Sequence, residues 1–493
     1  MDETQPLLPA EAVPPTTLDA HHDQTSDKNL VTFDPQGDEE NPLDWPEAYK
    51  WCIVGLMAFM AFTVTFTCIS VVPVANRIVA DLDDGRTSKS ASVLLVTIWE
   101  LGEAAGPLLI APLSEMYGRY PVMNACNVGF ILTTLLAVLS ENSTMFIAAR
   151  ALTGVVVATN VLNPAIVGDI FVTERRGSAM SLISLAPLTG GAVGPLISVA
   201  VSETLGWRAV CWMSIILAGI AEIGFLTCFR ETYKVPILNR KAARLRQETG
   251  NDKLRSVYDE GAHSIAKLRE AIMRPLLVLS QSLVLQLAAL CGSVTFTFFY
   301  IISTTLPDIV EGEFHLDPAT SGAAFIFFSA GSITIALVLN RALDKVFVKL
   351  RDANDGVDRP EFRLPFVILG GFLFPLAIAF YGWVPALSLQ VPYLYLAITL
   401  FGATLQFSFM PLMTYVVDAF GLYSASALTA MIVTRCLMST FLPLLAKPLI
   451  DSFGYGWGFT VLGAMMLSLA PIPIAIFRYG HRWRQWTKYT KDE

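Results

Sequence analysis

Twelve long apolar runs, separated by short polar segments, dominate the chain of 493 residues. Each run has about 20 residues or more, the length that a helix needs to cross the hydrocarbon layer of a membrane. This pattern predicts an all-α membrane protein with twelve transmembrane helices. The predicted spans are 51–73, 92–113, 120–140, 145–167, 178–201, 207–229, 276–301, 319–339, 364–383, 391–417, 425–447 and 457–477.

A charged segment at 230–275 divides the spans into two sets of six. We therefore expect five regions, given at the end of this paragraph. Within the linker, the segment that starts at Asn239 predicts a basic amphipathic helix, either lying on an anionic membrane surface or solvated. The regions are a disordered acidic tail (1–50), a six-helix bundle (51–229), the linker (230–275), a second six-helix bundle (276–477) and a short tail (478–493).

The distribution of positive charge predicts the orientation. Most of the 34 Lys and Arg residues fall in segments on the side of the two tails, and such an excess marks the cytoplasmic side. We expect a plasma-membrane location. The vacuolar membrane is the alternative, because the segment from Glu3 to Leu8 resembles an acidic dileucine sorting signal. The glycosylation sequon at Asn142 should stay unmodified because its loop is short.

Composition and motifs exclude several classes of protein. The chain is 54% hydrophobic and only 15% charged, and its net charge of −8 argues against a nucleic-acid binder. It contains no P-loop, no HExxH and GxSxG motifs, and no cluster with metal-ligand spacing. We expect no enzyme activity, no cofactor and no metal. Any transport would then draw on a gradient or on a partner chain.

Two glutamates in the second span are the strongest candidates for a functional site. Glu100 and Glu103 are three residues apart, so they share one face of a helix near the middle of the membrane. Charges at this depth are costly and usually face a bundle interior or a water-filled cavity. One hypothesis is proton loading or substrate contact. The alternative is a structural role, with the acids bridged to a basic partner in another helix.

Five other ionisable residues lie inside or at the ends of predicted spans. Glu222 in the sixth span is expected to join a proton path or to pair with an arginine. Arg150 and Arg435 are expected either to pair structurally or to contact substrate. Asp169 and Asp418 end spans four and ten, where helix-end or gate ion pairs are expected.

Several motifs together resemble the major facilitator superfamily. The loop from Ala111 to Arg119 is similar to its G-x-L-a-D-r-x-G-R signature, with Glu115 in place of Asp and with Gly118 and Arg119 matching. The segment from Arg150 to Gly154 is similar to the span-four arginine motif. The span-five antiporter motif is matched in part, by Gly190, Gly194 and Pro195. Segments such as Asn41-Pro-Leu-Asp-Trp-Pro and Arg230-Glu-Thr-Tyr resemble fungal drug:proton antiporters with twelve spans.

The resemblance implies two pseudo-symmetric halves that expose a central cavity to each side in turn. It implies a monomeric carrier that exchanges protons for amphipathic small molecules, either xenobiotics or secondary metabolites. In it, Glu100 and Glu103 would couple protons and Arg150 would link them to conformation. The expected gate residues are Glu115, Gly118, Arg119, Asp169 and Asp418, the expected seal is Gly190, Gly194 and Pro195, and the expected polar cavity residues are Asn160, Gln281 and Gln286.

Two other functions remain open at this stage. The incomplete antiporter motif leaves room for a nutrient or polyamine carrier that works as a uniporter or a proton symporter. A membrane sensor without transport would be expected to carry a long cytoplasmic signalling domain, and the predicted C-terminal tail is short.

Overall fold

The computed structural model describes residues 29–34, 37–85, 89–257, 265–354, 356–487 and 489–490, so the dileucine-like segment lies outside the described residues. Helices dominate the described chain. They are α1 (Glu47–Ile69), α2 (Ala75–Leu82), α3 (Lys89–Tyr117), α4 (Arg119–Val138), α5 (Ser143–Val155), α6 (Thr159–Ile170), α7 (Thr173–Leu205), α8 (Trp207–Cys228), α9 (Lys234–Thr249), α10 (Ile265–Gln281), α11 (Leu283–Asp308), α12 (Pro318–Asp352), α13 (Pro365–Ala386), α14 (Val391–Phe420), α15 (Ser424–Leu467) and α16 (Pro471–Arg484); two short strands are β1 (Leu30–Val31) and β2 (Arg255–Ser256).

The described residues contain 11 helical stretches that are long and apolar enough to cross a membrane. The last stretch, Ser424–Arg484, has 61 residues, whereas one crossing needs about 20. Gly454 lies inside this stretch with non-helical backbone angles (φ 72°, ψ 172°) that divide α15 in two. Glycine adopts a positive φ without the steric cost that other residues incur. The all-α membrane architecture is therefore confirmed, whereas the count of twelve spans stays a prediction.

Two predicted spans are interrupted. The fourth predicted span consists of α5 and α6, which are separated at Val156–Ala158. The seventh is broken at Ser282, whose side chain caps α11 by accepting a hydrogen bond from the Leu285 N–H (3.3 Å). Hydropathy averaged over a whole span does not locate such breaks, because the run as a whole stays apolar despite a few polar residues such as Gln281 and Ser282.

We use two names for the bundle. The tail end is the end at which α1 begins, and the far end is the end at which α1 finishes. Helices α1–α8 form the N-terminal half and α11–α16 the C-terminal half, and the halves contact each other mainly through α3 with α15 and α7 with α12. The candidate functional site lies where these helices of the two halves meet.

Glycines permit close helix packing at the predicted positions. A Cβ on Gly190 would lie 2.6 Å from the Phe62 carbonyl oxygen of α1. A Cβ on Gly322 in α12 would lie 2.9 Å from the carbonyl oxygen of Pro195 in α7, so these two helices meet almost backbone to backbone. Of the predicted seal in α7, Gly190 and Gly194 therefore pack on α1 of the same half, and Pro195 lies at the boundary with the other half.

A segment before α1 packs on the linker. Strand β1 pairs in parallel with β2, and η1, a single 3-10 turn at Pro42–Asp44, precedes α1. Asp38 forms an ion pair with Lys241, and Glu40 forms one with Arg244 at 2.6 Å. Lys241 and Arg244 are both on α9. The disorder predicted for 1–50 does not extend to these residues. Part of the basic face of α9 therefore lies against this acidic segment, and contact of the rest of that face with a membrane surface or with solvent stays a prediction.

The charge of Asp38 fits this contact. Burial by itself would raise the pKa of Asp38, but hydrogen bonds from Lys241 and from the backbone N–H groups of Glu40 and Asp34 hold it below its ordinary value. The carboxylate therefore stays ionised at neutral pH, and the contact is expected to weaken only under acidic conditions, as the pH falls through this lowered pKa.

Substitution of Gly154 tests the packing of α5 on α3. A Cβ on Gly154 would lie 3.0 Å from the Glu103 backbone nitrogen and would collide with the Trp99 carbonyl oxygen. Gly154→Val should destabilise the protein by about 1–3 kcal/mol because the backbone leaves no room. The measurement is the melting temperature of the purified protein. Gly219→Val is the control, since no atom lies within 4 Å of a Cβ there; equal melting temperatures would contradict the packing.

The acidic segment can be tested by hydrogen exchange. The double variant Asp38→Asn, Glu40→Gln should increase amide exchange in residues 29–34 and 37–45, because it removes the charges that face Lys241 and Arg244. The Glu40–Arg244 pair is exposed and contributes little to global stability, whereas the Asp38–Lys241 pair is largely buried, so the melting temperature should fall modestly. Arg240→Ala, at an exposed position of α9, is the control. Unchanged exchange in the double variant would show that the charges do not hold the segment.

Candidate functional site

A cavity of about 270 Å³ lies between the two halves. One part of its wall is aromatic, and another part is polar. Among the described lining residues, the charged side chains are Glu100, Glu103 and Arg435. The aromatic lining consists of Trp99, Phe296, Phe299, Tyr300, Phe325 and Phe328, and the uncharged polar lining includes Thr65, Thr159, Asn160, Ser329, Ser332 and Gln406.

Helix α3 presents Glu100 and Glu103 to this cavity, as their spacing predicts. Both are buried, with 2% and 7% of their surface exposed. Glu103 Oε1 accepts hydrogen bonds from Arg435 at 2.8 Å and from the Asn160 amide at 2.8 Å. Asn160 therefore contacts the acid pair directly, as a polar residue of the cavity.

Glu100 is held from the opposite half. The Tyr300 hydroxyl of α11 donates a hydrogen bond of 2.6 Å to Glu100 Oε1. Glu100 Oε2 lies 3.7 Å from Arg435 and has no hydrogen-bond partner among the described residues. Arg435 also lies over the Phe296 ring, with 4.3 Å between the guanidinium carbon and the ring centroid. Two buried carboxylates therefore share one guanidinium.

These bonds support a structural role for Glu100 and Glu103, paired with a basic residue, and are compatible with a role in proton loading or substrate contact. The acids are bridged to a basic partner in another helix, α15, and they also line the central cavity. Tyr300 and Trp99 were not predicted. The only sequence signal for Trp99 was its place next to Glu100, and Tyr300 is one aromatic residue among many in its span. Trp99 donates a hydrogen bond of 3.3 Å to Glu103.

Arg150 satisfies backbone carbonyls instead of an acid. It donates hydrogen bonds to the carbonyl oxygens of Thr67 (3.0 Å) and Cys68 (2.9 Å) in the last turn of α1. A cation at the C-terminal end of a helix is stabilised by unpaired carbonyls and the helix dipole. Its guanidinium also lies 4.7 Å from the Trp99 ring centroid, so Arg150 reaches Glu103 only through Trp99.

The site also brings possible metal ligands together. One ligand atom each from Glu100, Glu103 and Cys436 lie within 4.8 Å of one another, which the sequence did not predict. Arg435 Nη2 lies 2.8 Å from Glu103 and 3.4 Å from the Cys436 sulfur. The guanidinium thus supplies the positive charge that a metal ion would otherwise bring, and the donor set fits an ion pair better than a metal centre.

Three predicted site residues lie elsewhere. Gln281 and Gln286 do not line the cavity: both are exposed, and the Gln286 amide donates to the carbonyl oxygens of Leu279 and Ser280 (3.0 Å each) at the end of α10. Both lie beside the break between α10 and α11, where Gln286 bonds to the last carbonyls of α10. Glu222 is buried between α8 and α4 and bonds to Asn127 (2.8 Å), with no arginine partner among the described contacts.

The predicted gate at the tail end is an ion pair within the N-terminal half. Arg119 lies 3.4 Å from Asp169. Glu115 is half-buried and makes no described salt bridge with Arg119, but it lies close enough to Arg119 and Arg274 to interact with their charges. Instead Glu231, which was not predicted, accepts hydrogen bonds from the backbone N–H groups of Arg119 (2.8 Å) and Tyr120 (3.3 Å).

The position of the Glu231 carboxylate leaves room only for glycine at position 118. The φ of Gly118, 103°, favours glycine, and a Cβ there would collide with the Glu231 carboxylate. Glu231 therefore caps the N-terminal end of α4 from a segment far away in sequence, where a negative charge is stabilised. The Arg230-Glu-Thr-Tyr segment had pointed to a family resemblance but not to this contact.

The C-terminal half contains a similar group. Arg363 lies 2.9 Å from Asp418 and 2.6 Å from Asp344 at the tail end. Asp418 is thus in the helix-end ion pair that its position predicts. At the far end, Asp308 pairs with Lys447 of its own half and accepts a hydrogen bond of 3.1 Å from Asn76 of the other half.

Removal of Arg435 tests the electrostatic balance of the cavity. Arg435→Met should destabilise the protein by about 3–5 kcal/mol, because it leaves two buried carboxylates without a counter-charge. Glu103→Gln in the same chain should restore part of this loss, which a double-mutant cycle measures through thermal or denaturant unfolding. Arg478→Met, at an exposed position, is the control. Additive effects of the two substitutions would contradict a direct interaction.

Comparisons with known proteins agree with this geometry. The sequence model described as "Major Facilitator Superfamily" matches residues 52–443. The chain is 32% identical to "Efflux pump radE" of Floropilus chiversii, covering 95% of this chain and 87% of that protein, and 33% identical to "MFS transporter prlG" of a fungal species (94% and 97%). Its fold is similar to that of a D-xylose–proton symporter (TM-score 0.65, 15% identity, 87% of this chain and 97% of that chain) and of the human organic anion transporter MFSD10 (TM-score 0.61, 16% identity, 87% and 100%). The chain belongs to the major facilitator superfamily of membrane transporters.

Proposed function

We propose that this transporter exports amphipathic small molecules in exchange for protons. The observation that carries the proposal is the pair of buried acids, Glu100 and Glu103, bonded across the cavity to residues of the other half. Relatives whose names include an efflux pump support export as the direction. The aromatic wall beside charged groups suits molecules with an apolar body and a polar group.

The exchange follows from charge balance at Glu103. While Glu103 is ionised, its bond to Arg435 joins α3 to α15, and so joins the halves. A proton on Glu103 removes the negative charge and weakens that bond. Arg435 then has only Glu100 as its partner, and the halves can separate on one side. Substrate and proton therefore change the same contacts, which is the basis for coupling.

The far end of the bundle supplies the closed gate of the proposed cycle. In this conformation the far end is held by the Asn76–Asp308 hydrogen bond and by the approach of Gly322 to Pro195. We place the far end outside the cell and the tail end in the cytoplasm, in the plasma membrane, with the protein acting as a monomer. Arg119–Asp169 and Arg363–Asp418 would keep each half rigid as it moves.

Two conservative substitutions test proton coupling. Glu103→Gln should abolish uptake of rhodamine 6G driven by an imposed pH gradient in inside-out proteoliposomes, because glutamine cannot exchange a proton. Exchange of labelled for unlabelled rhodamine 6G without a gradient should continue. Glu100→Gln should reduce gradient-driven uptake and keep the Arg435–Glu103 bond. Glu203→Gln, at an exposed position in α7, is the control.

The controls separate the outcomes of that experiment. An ionophore that collapses the gradient should reduce wild-type uptake to the level of Glu103→Gln. Wild-type rates in both single variants and in the double variant would contradict the assignment of the coupling site. Substrate movement in the same direction as protons would show symport and so refute export by exchange.

A further inference from the structure

A second buried acid lies away from the central cavity. Glu222 is on α8 and only 4% of its surface is exposed. Its Oε2 accepts a hydrogen bond of 2.8 Å from the Asn127 amide of α4. It stands 6 residues before the end of α8 at Cys228, which places it about 9 Å inside the tail end of a membrane-spanning helix.

No positive charge neutralises Glu222 among the described residues. The described ion pairs do not include it, and its second oxygen, Oε1, has no hydrogen-bond partner. The buried residues of the same helix around it are Ala218, Ala221 and Phe225, which are apolar. Glu222 therefore differs from the central acids, both of which lie within 4 Å of Arg435.

Helix α4, which packs on α8, offers a further hydrogen-bond acceptor. Asn124 on α4 is buried, and its Oδ1 has no described partner. It stands three residues before Asn127 and at a depth in its helix similar to that of Glu222, between one and two turns from the tail end. A carboxylate has no proton to donate to such acceptors, whereas a protonated carboxyl group has one.

These observations favour the neutral form. An ionised carboxylate with one amide donor and no counter-ion, in a membrane-spanning helix, loses its hydration without adequate replacement. Binding of a proton removes that cost and supplies an O–H donor. The Asn127 amide can still donate to the carbonyl oxygen of the neutral acid, so the observed bond is retained.

We propose that Glu222 and Asn127 form a second proton-binding site, in which Glu222 holds a proton as a neutral carboxylic acid. Both residues lie in the N-terminal half and outside the lining of the central cavity. The proton is therefore held within one half and is not exchanged in the transport cycle. This site replaces the earlier expectation that Glu222 joins a proton path or pairs with an arginine.

Infrared spectroscopy tests the protonation state without a transport assay. The spectrum of the wild type minus that of Glu222→Gln at pH 8 should contain the carbonyl band of a protonated carboxylic acid, shifted in heavy water. Carboxylate bands in that difference would overturn the proposal. Glu103→Gln changes only the central site. The same band should therefore appear when the spectrum of the double variant Glu103→Gln, Glu222→Gln is subtracted from that of Glu103→Gln. Its loss there would refute the independence of the two sites.

Chemical labelling and stability provide a second test. Dicyclohexylcarbodiimide, which reacts with protonated carboxyl groups in apolar surroundings, should label Glu222 in the wild type, and mass spectrometry should find no label at that position in Glu222→Gln. Absence of label at Glu222 in the wild type would count against the proposal. Glu222→Gln should fold with an unchanged melting temperature because glutamine is also neutral. A variant that fails to fold would overturn the neutral form.

Discussion

The structure depends on how buried charge is balanced in the membrane. Two carboxylates, Glu100 and Glu103, face one guanidinium, Arg435, at a depth where an unpaired charge is costly. The acids come from α3 of one half and the arginine from α15 of the other. The same contact therefore balances the charges and joins the two halves, so a change in charge at the site would also change how firmly the halves are held together.

The ends of the helices repeat this principle within each half. Arg119 with Asp169 and Arg363 with Asp418 occupy equivalent places at the tail ends of the two halves. A buried pair, Arg484 with Glu361 at 2.9 Å, lies near the second of these. Contacts of this kind stay within one half, in contrast to the central ones. Rigid halves joined by a few cross-half bonds are what alternating access requires.

The sequence predicted the class of fold and the central acids, because both depend on patterns that survive without a structure. Long apolar runs predict membrane helices, and acids within them predict a functional cavity. Asn160, a polar residue within an apolar span, was likewise expected to line the cavity. The breaks at Val156–Ala158 and Ser282 were not predicted, since a break leaves hydropathy unchanged. Gln281 and Gln286 were wrongly placed in the cavity for that reason.

Partners from distant segments could not be predicted either. Tyr300 bonds to a residue 200 positions earlier, and Glu231 caps a helix that begins 112 positions before it. Nothing in the local sequence distinguishes these residues from other tyrosines and glutamates. Arg150 is buried, as its position within an apolar span indicates, but its partners are the carbonyls at the end of α1, which have no side-chain signal.

The central claim is that charge on Glu103 controls the separation of the halves. The most direct measurement is the distance between spin labels attached through Glu141→Cys and Ser388→Cys, both exposed at the far end of opposite halves, in a background without other reactive cysteines. Pulsed electron resonance at low and high pH should give two distance distributions for the wild type. The account predicts that Glu103→Gln shows the low-pH distribution at both pH values. A pH response equal to that of the wild type would contradict it.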